Sequence, residues 1–180
     1  MPSTPHLSSK LLVLVLSVFL TGVATWLTLA LPETPSNPLS WPRIFLGKLA
    51  AGIRHNGRER LYWSVLLVYS GLVSALHFGG LHFDVYLAIE QWDFLTHVLG
   101  GLGVAMIFYL TFHLDRPERR LRWIVPAVLA VGAGFEVYEF VFKNFWYNWS
   151  LRYYLVDTLL DLGTNVLGSL IAVGTLKNLR

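Results

Sequence analysis

LLVLVLSVFLTGVATWLTLAL, residues 11–31, contains no charged residue. A helix needs roughly 20 apolar residues to cross about 30 Å of hydrocarbon, and this run supplies them. It outruns the usual 7–15-residue apolar core of a signal peptide. Pro32, Glu33 and Thr34 follow it without a small-residue cleavage pattern, so the stretch reads as a membrane anchor. Working outward, four more segments qualify: 61–81, 94–112, 123–142 and 155–176. Composition agrees. The chain is 54% hydrophobic and 14% charged, against about 45–50% apolar and 25% charged in soluble domains. Cysteine is absent, which excludes disulfides and thiolate metal sites. These features predict an all-α, polytopic helical bundle of five transmembrane helices, a single integral membrane domain over residues 1–180. Nothing in the charge pattern suggests nucleic-acid binding.

Orientation follows from the connections. Five spans put residues 32–60, 113–122 and the C-terminus on one side, which then holds eleven of the fourteen lysines and arginines. Only Lys10, Lys143 and Arg152 fall on the other. Basic loops stay cytoplasmic, so the prediction is N-terminus out and C-terminus in. Within the first long connection, Phe45, Leu46, Leu49 and Ile53 share a helical face beside Arg43, Lys48 and Arg54. Residues 43–54 therefore read as a basic helix on the anionic leaflet or, equally, as a solvated loop. Trp146, Tyr147, Trp149, Tyr153 and Tyr154 fall where an interfacial aromatic belt belongs.

The apolar spans are interrupted by ionisable residues, each costing about 2.5–3.5 kcal/mol at a helix centre, so they should face the bundle interior with partners. Their spacing assigns faces. Asp93 and His97 are four apart, Glu136 and Glu139 three apart, and Asp157, Asp161 and Asn165 continue at four-residue steps. Depth is the stronger criterion. At ~1.5 Å per residue, His97 lies ~6 Å below Asp93, while Glu136 and Glu139 lie ~20–24 Å along a helix running the opposite way. Asp157 and Asp161 enter ~3–9 Å from the same outer boundary. His77, late in the second span, falls in that slab and is an additional candidate.

Five carboxylates cannot all stay ionised side by side at low dielectric, so protons or cations must neutralise them. Carboxylate oxygens, imidazole and an amide suit a divalent metal, Mg²⁺, Mn²⁺, Fe²⁺ or Zn²⁺, with no soft ligand to choose among them. Asp93, His97, Glu136 and Asp161 are the expected metal ligands. Glu139, Asp157 and Asn165 are the expected catalytic groups, a free carboxylate serving as general base. The corresponding function is a metal-dependent membrane hydrolase acting on a lipid or lipid-linked substrate from the outer side. Two alternatives use the same residues: a cation or proton transport component, and a non-catalytic structural or accessory envelope protein locked by a polar network. Gly100, Gly101, Gly103, Gly163 and Gly168 suggest close helix packing ahead of substrate clearance. His82 and Asp84 read as solvated loop residues, and His113 with Arg116–Arg122 as topology determinants.

WDFLTHVLGG (92–101), FEVYEF (135–140) and VDTLLDLGTNVLGSLIA (156–172) resemble the small bacterial membrane proteins of the DUF2238 (YjdF-like) group, and are similar to the broader VanZ-like pattern. The likeness covers roughly residues 60–176. It implies a polytopic membrane protein of bacterial type, integral to the plasma membrane (the bacterial inner membrane), with Asp93, His97, Glu136, Asp161 and Asn165 at motif-matching positions. Glu139 stands where VanZ-like members tend to carry glutamine. The resemblance implies no particular reaction.

Overall fold

The structure is a computed structural model, and it describes residues 7–89, 91–113, 115, 116, 119, 121–142 and 150–177, with side chains from residue 11 to residue 176. The expected Trp146, Tyr147 and Trp149 of the aromatic belt lie outside the described residues, as do Lys143, Arg120 and Arg180. Among the described residues every regular element is helical. The order is α1 (Leu7–Ala30), α2 (Trp41–Arg54), α3 (Arg58–His82), α4 (Val85–Ala88), α5 (Trp92–Phe112), α6 (Ile124–Phe142) and α7 (Leu151–Lys177), with short 3-10 turns at Pro38–Ser40 and Leu121–Trp123. Five of the helices are long and apolar enough to span a bilayer, and they contain the five segments read from the sequence nearly end to end. The protein is therefore a multi-pass membrane protein.

Large apolar side chains point away from the bundle: Phe19, Trp26, Val68 and Leu159 are each more than 60% exposed. In water such a surface would aggregate; in lipid it is the solvated face. What lies between the helices is small or polar. On α1 the buried residues are Val13, Ser17, Ala24 and Thr28, a seam at helical spacing that packs on α6. The Thr28 hydroxyl donates to the Ala24 carbonyl at 2.7 Å, so it needs no partner from lipid.

Helices α5 and α7 form the most extensive contact. A Cβ on Gly101 would collide with the Asn165 backbone, and one on Gly168 with the Val98 carbonyl, so these glycines set the crossing. Gly103 closes against the Tyr69 ring, with Gly100 open toward a cavity. Close packing thus accounts for Gly101, Gly103 and Gly168, whereas Gly100 lines the cavity and Gly163 has open space where a side chain would stand, so it is not a packing glycine.

At the end of the bundle away from the acidic residues, Trp41, Phe108, Phe112 and Trp123 pack as a ring cluster with centroids 5.4–5.7 Å apart. Helix α2 turns its Phe45, Leu49 and Ile53 onto Trp63, Leu66 and Leu110, leaving Leu46 60% exposed. Gly52 lets the Trp63 indole lie directly on the α2 backbone. Charge pairs tie the connections here: Lys48 to Asp115, and Arg122 to Glu33 at 3.5 Å. His113 is buried, and its Nε2–H donates to the Arg119 carbonyl at 2.6 Å. It thus pins the α5–α6 connection from inside.

Candidate functional site

At the other end, three helices bring their ionisable residues to one point. His97 comes from α5, Glu136 and Glu139 from α6, and Asp161 from α7. One ligand atom of each lies within 4.8 Å of the others, and all four residues are buried. Exposure is 4% for His97, 2% for Glu136, 6% for Glu139 and 3% for Asp161, so bulk water does not screen them. A second group, Asp93, Asp157 and Asp161, converges to the same tolerance and is less buried. Asp161 belongs to both.

Distances around His97 define the centre. Its Nε2 lies 3.4 Å from Asp93 Oδ1, 3.6 Å from Asp161 Oδ1 and 3.9 Å from Glu139 Oε1. These exceed the usual 2.7–3.2 Å of an N–H···O hydrogen bond. They are close to the ~3.4 Å between neighbouring ligands held ~2.0–2.2 Å from a tetrahedral ion. The Asp161 Oδ2 atom is buried and has no hydrogen-bond partner among the described residues. A carboxylate oxygen so placed calls for a proton or a cation.

Asn165 locks the other side of the ring. Its Nδ2 donates to His97 Nδ1 at 3.0 Å and to the Asp161 carbonyl at 2.9 Å. With Nδ1 accepting, the neutral imidazole carries its proton on Nε2, facing the carboxylates. The Thr164 hydroxyl also donates to the Asp161 carbonyl, at 2.9 Å. Asn165 is held in turn by Gly101 beneath its backbone and Gly132 beside its amide.

Glu139 joins His97, Glu136 and Asp161 in one group. Asp93, whose Oδ1 is closer to His97 Nε2 than the Asp161 and Glu139 oxygens are, converges with Asp157 and Asp161 in the other. His77 is buried but is not among the converging ligand atoms. Its Nδ1 meets the Tyr86 hydroxyl at 2.7 Å, Tyr86 meets Thr96 Oγ1 at 3.2 Å, and Thr96 donates to the Asp93 carbonyl at 2.9 Å. One proton order satisfies this chain: His77 Nδ1–H to Tyr86, Tyr86 O–H to Thr96, Thr96 O–H to the carbonyl. Burial pushes the Tyr86 phenol far above its ordinary range, so it remains a donor at any physiological pH. Phe135 stands edge-on to both imidazoles, its centroid 5.2 Å from His77 and 5.9 Å from His97. His82, Asp84 and Arg152 are exposed, and neither His82 nor Asp84 is among the converging ligand atoms. Tyr86, Thr96 and Phe135 went unnoticed in the sequence. Thr96 adjoins His97 and Phe135 adjoins Glu136, but Tyr86 sits in a connection without periodicity and gave no signal.

Beside His97 and Asn165 opens a cavity of about 220 Å³. Gly100 and Val104 of α5 with Val128 and Val131 of α6 form its floor, and Val73 and Phe78 of α3 its wall. A family model described as a predicted membrane protein, DUF2238, matches residues 11–180. The chain belongs to that family. No curated protein and no solved structure matches it. Family membership agrees with the membrane fold and assigns no chemistry, so any activity must be argued from the site itself.

Proposed function

We propose that the protein is a membrane-embedded, divalent-metal-dependent hydrolase acting on a lipid or lipid-linked substrate. The observation that carries this is the convergence of His97, Glu136, Glu139 and Asp161 within 4.8 Å, all buried, from three helices. Structure alone is served more cheaply by Ser, Thr or Asn hydrogen bonds. The donor set fits a borderline or hard cation, from Mg²⁺ to Zn²⁺. Such an ion, when bound, supplies an activated water and polarises the scissile group.

The chain's own residues divide the remaining work. His97, Glu136, Glu139 and Asp161 would hold the cation. Asn165 would orient the His97 ring for that role: with the ring proton on Nδ1, the amide Oδ1 would accept it, while the Asp161 carbonyl keeps the Thr164 hydroxyl. Asp157, at the less buried edge, takes the proton of the attacking water as the new C–O or P–O bond forms. It then returns that proton to the departing ester oxygen, so acid and alcohol leave and the enzyme is restored. Asp93 orders the second group around Asp161. In this reading the acidic end of the bundle faces outward from a bacterial inner membrane, with the C-terminus in the cytoplasm. The concentration of eleven of the fourteen lysines and arginines on the other side supports it.

Elemental analysis of protein purified without chelator tests the reading. About one or two divalent ions per chain are expected, falling several-fold in Asp161→Asn. A metal-free protein that also fails to take up metal on reconstitution contradicts it. If Glu136→Gln then lowers only thermal stability, the cluster is a structural lock.

A further inference from the structure

The cavity beside His97 has a neighbour. A second cavity of about 200 Å³ lies between α1 and the start of α2, floored by Phe108 of α5 and by Ala127, Ala130 and Val131 of α6. Val131 lines both. The two therefore adjoin along one trough, with α3 on one side and α1 with Trp41 on the other. Helices α3 and α6 flank α5 without an extended contact between them, so this side stays open. From Thr96 to Phe108 the floor runs twelve residues, or ~18 Å along α5.

Its chemistry is graded. The polar groups, His77, Thr96, His97 and Asn165, are at the acidic end. Beyond Gly100 the lining is mostly apolar, with Ser74, Thr25, Thr28 and the Trp41 indole as its polar members and no carboxylate, lysine or arginine in either cavity. The trough is continuous with the lipid-facing surface: Phe78 at its wall is 59% exposed and Val131 on its floor 45%. Its flanks lie within membrane-spanning helices, so what meets it from the side is hydrocarbon. A polar headgroup would lose its hydrogen bonds there, whereas an alkyl chain loses nothing. Each cavity is smaller than the ~300–1,000 Å³ of a pocket enclosing a whole small molecule, and suits a length of chain.

We infer that the α3–α5–α6 trough binds one linear hydrocarbon chain of a membrane lipid, admitted sideways from the bilayer, with the functional group nearest the headgroup delivered to His97 and Asn165. This deepens the proposed function by giving the substrate a single-chain anchor and a lateral path. Binding itself does not require the metal.

The test uses the full chain in phosphatidylcholine nanodiscs containing a trace of single-chain lysophosphatidylcholine with a mid-chain diazirine. After irradiation, labelled peptides are mapped by mass spectrometry. Labels are expected on α5 and α6 around Val104, Val128 and Val131. They should fall at least fivefold in Gly100→Leu, whose new side chain fills the cavity, and in Val131→Trp, which blocks the exposed floor. Val131→Trp keeps the test decisive should Gly100→Leu fail to fold. Labelling spread evenly over Phe19, Val68 and Leu159, unchanged by a folded blocking variant, overturns the inference. So does a fused-ring sterol probe that labels the trough in preference to the linear chain. The same samples separate the two claims. Trough labelling that persists in metal-free protein keeps this inference even if the hydrolase reading fails. Metal bound stoichiometrically with no trough labelling leaves the metal centre standing and removes the chain site.

Discussion

Neighbouring glycines on α5 should respond oppositely to the same methyl group. In Gly101→Ala the added Cβ lands on the Asn165 backbone carbonyl, and backbone faces backbone on both sides, so no side chain can swing away. Helices α5 and α7 must part by roughly 1 Å, an overpacking that costs about 1–3 kcal/mol. In Gly100→Ala the nearest atom is Asn165 Oδ1 at 3.9 Å, an ordinary contact. That substitution should gain up to about 1 kcal/mol of helix propensity. Both variants gain that propensity, so the difference between them is the overpacking cost alone, about 1–3 kcal/mol, or roughly 5- to 140-fold in the folding equilibrium. Equilibrium unfolding of the detergent-solubilised protein against rising SDS mole fraction measures it. Equal midpoints for the two variants would refute the packing of α5 on α7 through Gly101, and with it the placement of Asn165 against His97.

Three further outcomes follow from other parts of the structure. Asn165→Asp retains an acceptor for a proton on His97 Nδ1 and should keep most of the bound metal, whereas Asn165→Leu should weaken metal affinity about 10–100-fold; competition with a metallochromic chelator reads both. Gly52→Ala places a methyl on the Trp63 indole, so α2 should loosen, with amide exchange in 41–54 accelerating ahead of α5 and a loss of about 1–3 kcal/mol. Arg122→Gln breaks an ion pair with Glu33 in which the arginine side chain is 62% exposed, and stability should change by less than about 1 kcal/mol.

Much of this was legible before any coordinates. Apolar run length fixes membrane helices because the bilayer demands internal backbone pairing, and the five spans emerged nearly as read. Four-residue spacing put Asp93 with His97 and Asp157 with Asp161 because a helix repeats every 3.6 residues. Depth counting then brought α6 and α7 to the same level, where Glu136, Glu139 and Asp161 do meet His97. Rotation of one helix about its axis relative to another was not legible. For that reason the division of the carboxylates into two converging groups that share Asp161 was not foreseen, and His77 lies at the expected depth but outside the converging atoms. Tyr86 reaches the site from the short helix α4, whose position depends on Asp84 adopting φ 55°, a turn with no signature in the sequence. The trough could not be foreseen either. It is made by the lack of extended packing between α3 and α6, and a linear pattern shows only what each helix prefers to cover.

The central claim is that the buried carboxylates and His97 exist to hold a metal ion. Its most direct test is an experimental structure of the protein grown with Mn²⁺, with anomalous scattering recorded at the manganese edge. The account predicts a peak within about 2.0–2.3 Å of His97 Nε2 and of Asp161, Glu136 and Glu139 oxygens, absent in Asp161→Asn. A fully occupied ligand shell of protein hydrogen bonds with no peak, in protein shown to be folded, would contradict it.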